Sequence, residues 1–217
     1  MKIRLISGFT ALLVCTSIGA RPMPEKPQQF GYKCSWLAVK TTSRDKLIRS
    51  LRLTELREVN WTQGLESAQS ATNGTLFVSP QLGPWILVIG LSLPDSGSEA
   101  NHLPDRLSPL LKELGSKFDE VHYYSTHRVV DYHAWAKLAQ GRVIRKFGYL
   151  GETGETFWNE GGLTLEEKRL GFQAMNSRLP GEEDVLKIAA LWSIDTSFPN
   201  GTLFPAANGI IGRLPKQ

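Results

Sequence analysis

The residues best equipped for chemistry lie in one stretch, His122-Tyr123-Tyr124-Ser125-Thr126-His127-Arg128-Val129-Val130-Asp131-Tyr132-His133. Imidazoles and carboxylates bind divalent metals and exchange protons near neutral pH. In an unbroken strand His127, Asp131 and His133 share a face, with Val129 between them. Such a face suits a hydrolase. His133 would be the base, Asp131 its orienter or a metal ligand, and His127 an acid or a second ligand. Strand geometry sets a limit on this arrangement. His127 and His133 would lie roughly 20 Å apart, too far to share a metal, which leaves Asp131 and His133 as neighbours. A turn at Arg128–Val130 would bring the group closer together.

Other catalytic patterns are missing. There is no G-x-S-x-G or H-E-x-x-H, and Ser43-Arg44-Asp45-Lys46, which has Lys three after Ser, reads better as a helix cap. The glycines of Gly151-Glu152-Thr153-Gly154-Glu155 sit among glutamates that would repel a phosphate, so no nucleotide loop and no cofactor are expected. Six tryptophans are many for this length. Trp36, Trp85 and Trp192 fit a core. Trp61 and Trp158 adjoin polar turn residues and suit partly exposed anchors, because tryptophan is enriched at interface hot spots. With Tyr123 they could line a binding pocket.

These residues need a scaffold, and the pattern predicts an α+β fold: a mixed or mainly antiparallel sheet with helices packed on one face. Residues 33–40 read as a strand. Ser43 caps a short helix carrying Leu47, Ile48 and Leu51. Thr75–Val78 is a short strand, and the apolar run Trp85–Ile89 is a strand buried on both faces. Leu107, Leu110, Leu111, Leu114 and Phe118 recur at helical spacing. Residues 120–127, 128–138 and 142–150 read as strands, the last returning through a hairpin at Gly141. Thr164 with Glu167 makes a capping box, and Glu182–Asp184 open a last helix. Residues 61–65 break any regular pattern. The expected organisation is a signal peptide (1–20), an extended leader (21–32), one α+β domain (33–197) and a loosely ordered tail (198–217).

The N-terminus carries Lys2 and Arg4, an apolar stretch from Leu5 to Ile18, and then Gly19-Ala20, the order of a secretory signal peptide. Cleavage there takes two of the 25 basic residues and leaves 23 against 21 acidic ones. Without a Lys/Arg tract, nucleic acid is not an expected partner. No later apolar run is long enough to cross a membrane as a helix, so no span is expected after signal cleavage. Cys15 leaves with the signal, and Cys34 then has no partner for a disulfide. Asn60, Asn73 and Asn200 each head an N-x-T triplet, which matters only in a eukaryotic secretory path.

Thr126-His127-Arg128, Asp131-Tyr132-His133-Ala134-Trp135-Ala136, the Gly151–Glu155 turn and Trp192-Ser193-Ile194-Asp195 together resemble the motifs of a bacterial family of exported proteins. The segments Leu76–Pro80 and Gly83–Trp85 are similar to that family too. The family has no assigned activity, so the resemblance carries over no catalytic residue. It implies a bacterial source and a periplasmic or secreted location. The leading expectation is an exported, non-enzymatic protein that binds another protein, one version being a periplasmic immunity protein that blocks a toxin. The alternative is a hydrolase using His127, Asp131 and His133, with or without a metal. A third reading is a small-ligand module with a pocket at Trp61, Tyr123 and Trp158.

Overall fold

Strands with apolar residues at every position need cover on both sides, and that requirement organises the chain. The structure, a computed structural model, describes residues 21–70, 74–97, 102–173, 179–199 and 204–215. The signal segment, Asn73, Asn200 and residues 98–101 of the polar loop lie outside the described residues. The elements are β1 (Cys34–Lys40), α1 (Arg44–Ser50), β2 (Thr54–Val59), α2 (Trp61–Ala68), β3 (Thr75–Val78), β4 (Trp85–Ile89) and α3 (Leu107–Gly115). They continue as β5 (Glu120–His127), β6 (Tyr132–Ala139), β7 (Arg142–Leu150), β8 (Glu155–Glu160), α4 (Leu165–Arg169), α5 (Glu182–Trp192) and β9 (Gly209–Arg213). The strands form one nine-stranded sheet in the order β2-β9-β3-β4-β1-β5-β6-β7-β8. Every neighbouring pair is antiparallel. The α+β class and the antiparallel sheet agree with the sequence reading.

The helices do not lie on one face. Along β1, Leu37 and Val39 point into one core and Trp36 and Ala38 into the other. The first core is closed by Leu47, Ile48 and Leu51 of and just after α1 and by Leu107, Leu111 and Leu114 of α3. The second is closed by Trp61 and Ala68 of α2 and by Val185, Ile188, Ala189 and Trp192 of α5. Each large apolar side chain so buried contributes roughly 1.5–3 kcal/mol. Exposing one whole face of β1, β4 and β5 would forfeit that for every second residue, so cover on both faces is required.

The C-terminal segment corrects a second expectation. Residues 209–213 are not a loose tail but a strand inserted between β2 and β3. Its glycines serve close packing. A Cβ on Gly209 would stand 2.6 Å from the Val78 carbonyl oxygen and would overlap the Phe77 ring. Phe77 is held on its other side by Gly64 of α2, where a Cβ would lie 2.5 Å from the ring. Helix α2 itself replaces the expected irregular stretch. It starts from a capping box in which Asn60 accepts from the Gln63 backbone N–H at 3.0 Å and Gln63 reaches back to the Asn60 N–H. The leader is tied down rather than free. Glu25 pairs with Ala207, and its carboxylate accepts from the Thr62 backbone N–H and hydroxyl, both at 2.9 Å.

One ion pair is fully enclosed. Glu167 of α4 is 0% exposed and Arg145 of β7 is 3% exposed. The Arg145 Nε donates to Glu167 Oε1 at 2.8 Å, and the Trp135 indole donates to the same oxygen at 2.9 Å. The other oxygen accepts from the Thr164 N–H at 2.8 Å, which closes the predicted capping box. Removing one partner of a buried pair leaves the other charge stranded, at about 3–5 kcal/mol. Glu167→Ala is therefore expected to lower unfolding stability by about that amount. The double change Arg145→Met with Glu167→Leu should recover the part of the loss that comes from the stranded Arg145 charge, and not the part from the Trp135 and Thr164 donors that Glu167 accepts from. Urea unfolding of the three proteins checks both.

Candidate functional site

Strands β5 and β6 end in a turn, and the turn decides which polar groups meet. His127 pairs with Tyr132, and Arg128–Asp131 form the tip between them. The Val130 N–H returns to the His127 carbonyl at 3.2 Å, and Asp131 adopts φ 52°. Because the strand is interrupted, the single-face alignment of the three sequence candidates is lost. His133 lies opposite Thr126 on the face that carries Tyr124 and Trp135. His127 falls with Tyr123 and Ser125 on the other face by strand alternation. There it stands near Asp95, whose carboxyl is raised by partial desolvation and pulled back by His127 and Arg106.

Asp131 and His133 do meet. The His133 Nε2 lies 2.8 Å from Asp131 Oδ1, so the ring proton belongs on Nε2. Nδ1 lies 3.0 Å from the Thr126 hydroxyl. Thr–His–Asp in that order is the logic of a nucleophilic relay. Burial prevents its use: Thr126 is 0% and His133 1% exposed, so the hydroxyl meets no substrate. Thr126 also lies 3.3 Å from Glu182 Oε2, which carries the chain of contacts to α5. Among the described residues, no three His, Cys, Asp or Glu side chains are grouped to hold a metal ion.

The aromatic candidates are not exposed anchors and do not share a pocket. Trp61 is 0% exposed, in the second core, edge-on to Phe77 at 5.2 Å. Tyr123 and Trp158 are buried in the first core, edge to face at 6.2 Å. The Trp158 indole donates to Asp105 at 3.0 Å, and Lys146 sits 4.4 Å over its ring. The polar residues beside Trp61 cap α2, and Asn159 beside Trp158 accepts from Arg145, roles that adjacency alone does not distinguish from an exposed rim.

The sequence reading missed Glu182 and Glu183 as organisers. Helix α5 begins with these acids, and they receive groups from the leader and the turn. Tyr32 donates its hydroxyl to Glu183 at 3.1 Å, the Lys33 N–H donates to Glu182 at 3.3 Å, and Arg128 stands 4.0 Å from Glu182. The Glu183 hydrogen bond raises the Tyr32 phenol, because it favours the protonated form. The signal for this was present, since acids in a first helical turn seek donors, but which donors would arrive depends on the sheet register.

His122 is the other buried imidazole. It is 0% exposed, between Trp85 at 4.8 Å and Trp192 at 5.8 Å. The Tyr124 hydroxyl lies 3.2 Å from its Nδ1, while Nε2 makes no hydrogen bond and stands 3.5 Å from Glu120. Burial, reinforced by Lys137 and Lys40, holds the ring down to about 3. Cys34 is governed by the same effect: burial pushes its thiol up to about 12, which removes it as a nucleophile. Comparison with known protein families, curated proteins and solved structures finds no match to any of them.

Two outcomes follow from these burials. His133→Ala removes a buried ring together with its hydrogen bonds to Thr126 and Asp131 and should cost about 1–3 kcal/mol in urea unfolding, the signature of a structural histidine. For His122 the folded ring stays neutral while the unfolded chain takes up a proton below about 6.5, so its contribution is present above that pH and is lost as pH falls toward about 3. His122→Phe should make the melting temperature fall less between pH 7 and pH 4 than it does in the unchanged protein. Equal slopes would show that His122 is not the group responsible.

Proposed function

We propose that the protein is a non-enzymatic, exported protein that binds another protein through the rim at the turn end of β5 and β6. One observation carries this reading: Tyr32 and Arg128 meet Glu183 and Glu182 while remaining 45% and 63% (side chain) exposed, and Val129, next to Arg128 at the turn tip, is 75% exposed. Tyrosine and arginine are the side chains that dominate interface hot spots, and an exposed valine at a turn tip adds apolar area beside them. The two glutamates restrain the tyrosine and the arginine before binding, which reduces the ordering cost on association. The hydrolase reading draws less support, because its base and its only adjacent hydroxyl are buried.

Export to the periplasm or the medium belongs to the proposal and rests on the order of charges, apolar residues and small residues in the first twenty positions. An immunity protein that blocks a toxin is the concrete version. Such a protein needs a rigid surface and no chemistry of its own, which fits a rim mounted on two packed cores.

The test is capture of a partner from the native envelope fraction by the immobilised chain from Arg21 onward. A near-stoichiometric partner is expected. The double variant Tyr32→Ala, Arg128→Ala should weaken its capture at least about tenfold, because each anchor is of the type that contributes over about 1 kcal/mol. The melting temperature should stay within about 1 °C, as expected for surface changes. Equal capture by the double variant would rule out this rim.

A further inference from the structure

A cleft runs between the leader, α2 and the ends of β1 and β4. Its volume is about 580 Å³, within the roughly 300–1,000 Å³ of sites that take small molecules. Phe30, Leu65, Ala68, Ile89 and Leu91 give it an apolar wall, and the Cys34 thiol adds a neutral one. Gly31 lets the leader close against α5: a Cβ there would lie 2.5 Å from the Leu186 side chain. Gln29 and Gln69 supply amides, and Lys33 is the one charged residue on the lining. The Lys33 backbone N–H is used by Glu182, but its amine has no hydrogen bond or ion pair among the described residues. Glu182 and Glu183 do not line the cleft.

We propose that this cleft binds a small amphipathic anion, an apolar chain that lies along the wall with a carboxylate or other acidic head beside Lys33. The body is recognised by burial of apolar surface, worth roughly 0.8 kcal/mol per methylene. The head is recognised by an amine that no other described residue pairs with, with the glutamine amides as neutral donors. A neutral alcohol of the same chain would keep the first contribution and lose the second. A cationic head would face Lys33 and be rejected. This site goes beyond the protein-binding rim and does not require it.

The test is isothermal titration of the full-length chain with decanoate and with decanol. Decanoate should bind saturably at one site with a Kd below about 1 mM, and more tightly than decanol. Lys33→Met should weaken decanoate about tenfold and leave decanol unchanged. Gln69→Trp, at an exposed position on the mouth where folding is not at stake, should weaken both. The proposal falls if decanoate gives no saturable signal, if Lys33→Met leaves the decanoate-to-decanol ratio as it was, or if Gln69→Trp changes neither. Lys33-dependent sedimentation with phosphatidylglycerol vesicles would place the anion in a bilayer, and decanoate binding without it would make it a free acid. Arg128 does not line the cleft, so Arg128→Ala should leave decanoate binding intact even where partner capture is lost.

Discussion

Two-sided burial of the central strands is the constraint on which the rest of the structure depends. Strands β1 and β4 carry nearly unbroken apolar runs and β5 is buried along almost its whole length, so neither face can be given to water. Helices must therefore reach both sides, and the chain must cross from one side to the other. Helix α1 goes to one face and α2 to the opposite one, with β2 between them on the sheet. The late return of β9 between β2 and β3 extends the same layer, and its Gly209 leaves room for the Phe77 ring.

The same constraint determines the fate of the polar residues. A histidine or glutamate in such a strand faces an interior, where an unpaired polar group costs 1–3 kcal/mol or more. Most of those found there are satisfied by a neighbour, and His122, whose Nε2 makes no hydrogen bond, is held neutral. Thr126, His133 and Asp131 satisfy one another, Glu167 is surrounded by Arg145, Trp135 and the Thr164 N–H, and His122 stays uncharged among indoles. Residue types that suggest catalysis in a sequence become, in this setting, the polar part of the packing. The contrast with Arg128 and Tyr32 is instructive, since those two sit beyond the strand ends and keep their polar groups at the surface.

How much of this was legible depended on whether the signal was local. The strand Trp85–Ile89, the Leu107 helix and the Thr164–Glu167 box are all set by residues within a few positions of one another, and they appear where the spacing put them. The run Trp85–Ile89 read as buried on both faces, yet one-sided helices were expected; the two readings conflict, and the burial was the sounder. Asn60 and Gln63 form the same kind of box as Thr164 and Glu167, but residues 61–65 read as a break in any regular pattern, and α2 was missed. β9 is five residues long with glycines at two positions, and its identity as a strand comes from partners more than 130 residues away. The His127–Asp131–His133 alignment failed for a different reason. Placing a turn between 127 and 132 reverses the strand, so His127 and His133 fall on opposite faces, and only the pair on the far side of the break survives.

With both faces covered, a sheet of this kind has its edges and its ends left for binding. The edges are poor candidates. β2 exposes Glu55, Arg57 and Glu58, bends at a register shift between Thr54 and Arg57, and holds Glu55 at φ 52°. β8 ends in charged residues and joins β7 through another shift. Charges and bulges are the means by which edge strands are kept from pairing with other chains. The end of the sheet at Cys34 and His127 differs, because the leader, the turn and the start of α5 converge there without adding a regular layer. Phe30 and Val185 enter the second core there, while Tyr32, Arg128 and Val129 stay at the surface. The exposed tyrosine, arginine and valine and the cleft beside Lys33 are found at that end of the sheet because it is where this fold leaves surface uncommitted.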